Sequence, residues 1–138
     1  MIRPATPDEE RTLALLQSQL REPSPGLLDA WASDAVPSPA EVLVSTTEAD
    51  RPVGYLLAVP GDGTAYVAEL VVAPDHRREG RATALLSAYA ESVEGGVTVT
   101  VAAKNAAARA LYRGCGFERV WRLPDFFDAG DAILYRRG

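Results

Sequence analysis

Residues 65–72 are apolar enough to form a strand, and they run through Ala73-Pro-Asp-His76 into Arg77-Arg-Glu-Gly80-Arg-Ala82-Thr83, after which apolar residues recur at helical spacing. A strand, a short turn and a helix in that order demand a parallel crossover, and they build an anion site on the way. The first N–H groups of a helix lack intrahelical partners and the macrodipole adds partial positive charge there, so phosphate oxygens suit that place. Gly80 and Ala82 keep bulk off the backbone, while Arg77, Arg78 and Arg81 supply a local positive field. Glu79 shares the loop and is expected to point into solvent.

The remaining chain supplies a sheet around this unit. Residues 2–5 read as a short first strand, and Thr6-Pro-Asp-Glu9 combines a capping threonine, a proline at the first helical position and a glutamate three residues on. Leu13, Leu16 and Leu20 keep helical spacing until Pro23 and Pro25 stop it. Leu27, Leu28, Ala30 and Trp31 predict a short second helix inside the proline-rich stretch 23–39. Residues 41–47 and 52–59 form a hairpin across a polar turn, followed by a turn at 60–63. After the crossover helix, whose face carries Ala82, Leu85, Leu86, Tyr89, Ala90 and Val93, Gly95-Gly96 ends it. Strand 97–102, an alanine-rich helix at about 106–113 and strands 117–121 and 131–136 complete the chain. The expected fold class is α/β (α+β): one domain over 1–138, with a mixed sheet of about seven strands and about four helices.

Taken with Asn105 and Ala110-Leu-Tyr112-x-x-x-Gly116-Phe117, the 70–86 segment resembles the acyl-CoA signature of the GNAT superfamily of N-acetyltransferases. The specific part of that resemblance spans about residues 66–117; elsewhere length and element order match. It implies the same sheet layout, acetyl-CoA as co-substrate, no metal, and a sheet whose fourth and fifth strands splay apart. The backbones of Val71 and Val72 would then hold the pantetheine, and the amides of Arg78, Glu79, Gly80, Arg81, Ala82 and Thr83, with Arg77, the pyrophosphate. Asn105 resembles the asparagine that caps the next helix and touches the cofactor, and an N-cap alone would also explain it.

Direct transfer of acetyl to an amine needs a neutral amine, a carbonyl at attack distance and a proton for the departing thiolate. Tyr112 is the candidate general acid, since a phenol pKa near 10 keeps its proton in place at neutral pH for a departing thiolate; core packing beside Leu111 is the alternative. Relatives that acetylate the N-terminal alanine of a ribosomal protein carry a glutamate on strand five, where this chain has Thr100. Glu69 on strand four is the candidate base, with a solvated edge glutamate as the alternative. At pH 7 about one α-amine in seven is neutral, against about four lysine amines in ten thousand, so an α-amine or another amine of low pKa is the easier acceptor.

The stretch from Arg122 to Phe127, followed by Gly130-Asp-Ala-Ile133, also resembles the end of peptide N-terminal acetyltransferases, where paired tyrosines hold the peptide. Here the pair is Phe126-Phe127, either a substrate wall or a cover for the core edge. A small-molecule amine or amino-acid acceptor, a non-catalytic acyl-CoA-binding regulatory module, and an unrelated nucleotide-binding α/β domain are the rival readings. Specificity is expected in residues 21–39 and 124–130.

Composition narrows the field further. A net charge of −5 argues against nucleic acid and anionic membrane as partners, and no apolar run reaches membrane-spanning length. One cysteine, Cys115, and one histidine, His76, leave no disulfide and no four-ligand zinc site. Cys115 lacks a partner histidine nearby and reads as a small buried thiol; His76 reads as a loop residue or phosphate neighbour. A cytoplasmic protein is expected, with the oligomeric state open and a homodimer among the options.

Overall fold

The computed structural model describes residues 1–24, 26–33 and 40–138. Seven strands form one sheet in the order β1-β2-β3-β4-β5-β7-β6: β1 (Ile2–Pro4), β2 (Glu41–Thr46), β3 (Pro52–Val59), β4 (Thr64–Val72), β5 (Gly96–Ala102), β6 (Glu118–Phe127) and β7 (Gly130–Arg137). Four helices accompany them: α1 (Glu10–Gln17), α2 (Leu27–Ala32), α3 (Arg81–Ser92) and α4 (Ala106–Gly114). The expected mixed sheet with four helices is what the structure contains. Pro25 and the 34–39 part of the expected specificity segment lie outside the described residues.

The entry to α1 is tighter than a plain capping threonine predicts. Residues Pro7–Glu9 form a 3-10 turn, and the Glu9 carboxylate accepts from the Thr6 N–H at 3.0 Å and from both Nη atoms of Arg3 at 2.9 and 2.7 Å. That clasp holds the Glu9 pKa down at about 2, with the Arg3 hydrogen bonds as the largest cause. α1 stops at Gln17, one turn short of Leu20, which packs half-buried on the second core cluster.

Helices cover the sheet from two sides. Leu85, Leu86 and Tyr89 of α3 and Tyr112 of α4 pack with Val67, Val99 and Ile133 on one face. Leu13 and Leu16 of α1 and Leu28 of α2 pack with Val44, Tyr55 and Leu57 on the other. Leu13 is fully buried, a placement that stabilises the fold by about 1.5–3 kcal/mol.

Two irregularities position the site. In the antiparallel β3–β4 ladder Leu57 pairs with Glu69 and Ala58 with Val67, so Ala68 is an extra residue on β4. Alternation would put Glu69 beside Val67 on the α3 face, but the bulge turns it to the α1 face. The parallel β4–β5 pairing runs only from Thr64↔Gly96 to Val67↔Val99, whereas β4 continues to Val72 and β5 to Ala102. Beyond Val67 and Val99 the two strands part, and the sheet opens.

The last hairpin differs from expectation. β6 continues through Pro124 to Phe127, with register shifts between Arg119 and Trp121 and between Leu123 and Phe127. An edge strand tolerates proline because its outer N–H row needs no partner, and bulges keep such an edge from templating another chain. The expected 124–130 loop is therefore mostly strand.

Candidate active site

The turn after β4 is built from backbone geometry. Arg78 has φ 63° and Gly80 φ 75°, two left-handed residues within three, and they swing the chain into α3. A Cβ at Gly80 would meet nothing within 4 Å, so the left-handed backbone, and not crowding, calls for glycine there. The first helical bond of α3 is Ala84 N–H to Gly80 O at 3.0 Å, which leaves the N–H groups of Arg81, Ala82 and Thr83 without intrahelical acceptors.

The three arginines have separate tasks. Arg77 Nε donates to Val72 O at 3.1 Å and ties the turn to the end of β4. Arg81 reaches the buried Ser45 Oγ at 2.9 Å and Thr46 O at 3.2 Å on β2. Arg78 is exposed and, among the described residues, has no side-chain hydrogen bond or ion pair. Glu79 does not simply point into solvent: it accepts from Arg81 Nε at 2.9 Å and lies 3.3 Å from His76 Nδ1. The Arg81 hydrogen bond is the largest cause holding its carboxyl below the usual range.

On the opened edge, the Ala73 N–H goes to Val53 O at 2.8 Å. Ladder bonds fall on alternate residues, so the peptide groups of Val71, paired with Tyr55, turn to β3, and those of Leu70 and Val72 turn to the gap. Asn105 caps α4, its Oδ1 accepting from the Ala108 N–H at 3.1 Å.

Tyr112 approaches the gap from the α4 face. Its ring meets Phe117 edge-on at 5.4 Å and stacks on Tyr135 at 6.4 Å. Only 6% of it is exposed, yet no described residue hydrogen-bonds its hydroxyl and that oxygen is not sealed off. Burial is the largest cause raising its pKa, followed by Cys115 and Tyr66. Cys115 is a free, buried thiol at the end of α4.

From the opposite face comes a pair that sequence reading missed. The Tyr66 hydroxyl and Thr100 Oγ1 are 2.5 Å apart, and Thr100 is the first β5 residue past the parting. Glu69 stands on that same face because of the Ala68 bulge. It is not a solvated edge group: it is 3% exposed and accepts from Tyr55, Gln17 and the Ser24 N–H. Phe126 is half exposed, its ring edge-on to Phe127 at 4.9 Å.

A sheet split at its parallel seam, with a helix start and arginine-rich turn at the mouth and a phenol beside the gap, is the architecture of an α/β domain with a cleft suited to an anionic ligand. The chain belongs to the Acetyltransferase (GNAT) family, whose model matches residues 8–117. It is similar to the mycothiol acetyltransferase of Clavibacter michiganensis subsp. michiganensis, 40% identical over 86 residues, which are 62% of this chain and 28% of that protein. The chain thus spans little more than a quarter of the length of the curated relative it matches. In fold it is similar to Arabidopsis thaliana NAA60 in complex with acetyl-CoA, at TM-score 0.81 and 19% identity, covering 99% of this chain and 96% of that one. The ribosomal-protein-S18-alanine N-acetyltransferase from Escherichia coli superposes at TM-score 0.82 and 20% identity, covering 99% and 92%. No described helix is long and apolar enough to cross a membrane.

Proposed function

We infer that this chain transfers the acetyl group of acetyl-CoA to a primary amine by direct attack. The opened β4–β5 seam carries the reading, because it leaves strand-edge groups without partners beside a helix start that receives anions. The peptide groups of Leu70 and the N–H of Val72, with Val71 between them, would extend the sheet along the pantetheine, the Val72 carbonyl being held by Arg77. Residues Arg77, Arg78, Glu79, Gly80, Arg81, Ala82 and Thr83 would present backbone N–H groups and the free Arg78 charge to the pyrophosphate. Asn105 would add its amide at the start of α4.

The chemistry balances on two side chains. The amine nitrogen bonds to the thioester carbon, the amine proton passes to Glu69, the C–S bond breaks, and Tyr112 gives its proton to the departing sulfur. Burial keeps the Tyr112 phenol protonated, so its proton is in place when the sulfur departs. Both groups then reset by exchange with solvent. A peptide α-amine is the acceptor this scheme serves most easily. A small-molecule amine is the second reading, favoured by the mycothiol acetyltransferase relative. The single unpaired cysteine suits a cytoplasmic setting.

The test is free-thiol release from acetyl-CoA with three acceptors: a lysine-free peptide with a free N-terminus, an N-blocked peptide with one lysine, and a mixture of small amines. Release with the first alone supports N-terminal peptide acetylation, and release with the small amines alone moves the assignment to metabolites. Silence with all three, alongside measurable acetyl-CoA binding, leaves a non-catalytic acyl-CoA module.

A further inference from the structure

Glu69 is the one charged residue among the buried described residues, and the donors around it include no cation. Tyr55 Oη gives a hydrogen bond to Oε1 at 2.9 Å, the Ser24 N–H one to Oε2 at 2.7 Å, and Gln17 Nε2 spans both oxygens at 3.2 and 3.0 Å. Leu57 and Val71, flanking it on β3 and β4, are apolar, Ala68 carries a methyl group, and Arg21 and Glu22 of the α1–α2 connection are exposed. Tyr55 is therefore the titratable neighbour, and its burial, then the Glu69 charge, keep its phenol protonated.

A buried base must be hydrogen-bonded both before and after it takes a proton, since an unpaired polar group in such surroundings is costly. The three donors differ in what they can do. The Ser24 N–H is fixed and only donates. The Tyr55 hydroxyl is enclosed at 0% exposure, so accepting from Glu69 would leave its own proton without a partner. Gln17, the last residue of α1 and half-buried, carries an amide with a donor at one end and an acceptor at the other.

We propose that Gln17 is a positioning residue for proton transfer: its terminal amide donates to ionised Glu69 and turns over to accept once Glu69 holds the acceptor's proton. The amine N–H bond breaks, an O–H bond forms on Glu69, and that O–H points at Gln17 Oε1; when the proton leaves to solvent the amide turns back. This rests on Glu69 acting as the base. A donor-only side chain at 17 would lock the carboxylate in its charged form, and an apolar one would abandon it.

The experiment is an NMR titration of the full chain between pH 4 and pH 9, following the Glu69 carboxyl carbon and the Gln17 side-chain amide. The two signals are expected to move with one midpoint. A Glu69 signal that titrates while the Gln17 amide stays still overturns the Gln17 role alone; a Glu69 signal that does not titrate overturns the base and the switch together. In kinetics, with saturating acetyl-CoA and the acceptor selected by thiol release, Gln17→Met should move the acidic limb of kcat to higher pH. Gln17→Arg should move it to lower pH with at least a tenfold fall in kcat, and KM for acetyl-CoA should be unchanged in both. Shifts in the same direction, or no shift, refute the proposal. Glu69→Gln with a wild-type profile removes the base reading.

Discussion

Replacing Gly80 by alanine isolates backbone strain at the mouth of the site. With φ 75° and ψ 13° and open space where a Cβ would stand, the substitution meets no atom, so its cost is that of a left-handed L-residue, about 1–2 kcal/mol. For 138 residues the unfolding entropy is about 0.29 kcal/mol/K. The melting temperature should therefore fall by about 3–7 °C in circular-dichroism melts. Gly80→Asn should fall less, because asparagine tolerates that region. Gly95→Ala is the contrast, since its Cβ would run into the Gly63 carbonyl and backbone there must shift. Relief of strain by rotating Gly80 would swing the Arg81, Ala82 and Thr83 amides, so acetyl-CoA affinity by calorimetry should drop along with stability. An alanine variant melting within 1 °C of wild type, or an asparagine variant falling as far as alanine, refutes the reasoning.

Tyr112→Phe should lower turnover by about 10²–10⁴ with acetyl-CoA affinity nearly unchanged; an unaltered kcat removes Tyr112 from the chemistry. Asn105→Ala loses the bond to the Ala108 N–H and should cost about 1 kcal/mol, read as a lower midpoint in urea at constant slope; an unmoved midpoint contradicts the cap. Glu9 has its pKa lowered to about 2 from 4.5, so its contribution is complete above pH 4.5 and fades as pH falls toward 2. Glu9→Gln should thus be less stable than wild type by about 1–2 kcal/mol at pH 6, with the gap closing near pH 2. A gap that persists at pH 2 means the Arg3 clasp is not its source.

Local chemistry made much of this molecule legible. The run from β4 through Gly80 to α3, the Pro7 entry to α1 and the Asn105 cap each depend on residues a few positions apart, and each stands where the sequence put it. What escaped was long-range. For Glu69 the sequence leaves a solvated edge group open beside the candidate base, because the partners that enclose it, Tyr55, Ser24 and Gln17, lie 14, 45 and 52 residues away. The bulge that turns it inward has no glycine or proline to announce it, only Ala68. Likewise nothing in local spacing pairs Tyr66 with Thr100. The strand expected to end at residue 121 runs on through Pro124 to Phe127, which an edge strand permits.

The short parallel seam also governs assembly. The strands on each side of it join mainly to antiparallel partners, β3 with β4 and β6 with β7 through turns of a few residues, so those ladders can close early. The four-pair seam has to wait for the whole crossover through α3, because loop closure precedes any reward from its hydrogen bonds. It should be the last ladder to form and the first to loosen, with the amides of Gly96 and Thr98, which face β4, exchanging sooner than those of β3. A ligand lying across the gap would then act as an extra rung joining two halves of the sheet that meet through only four pairs of residues.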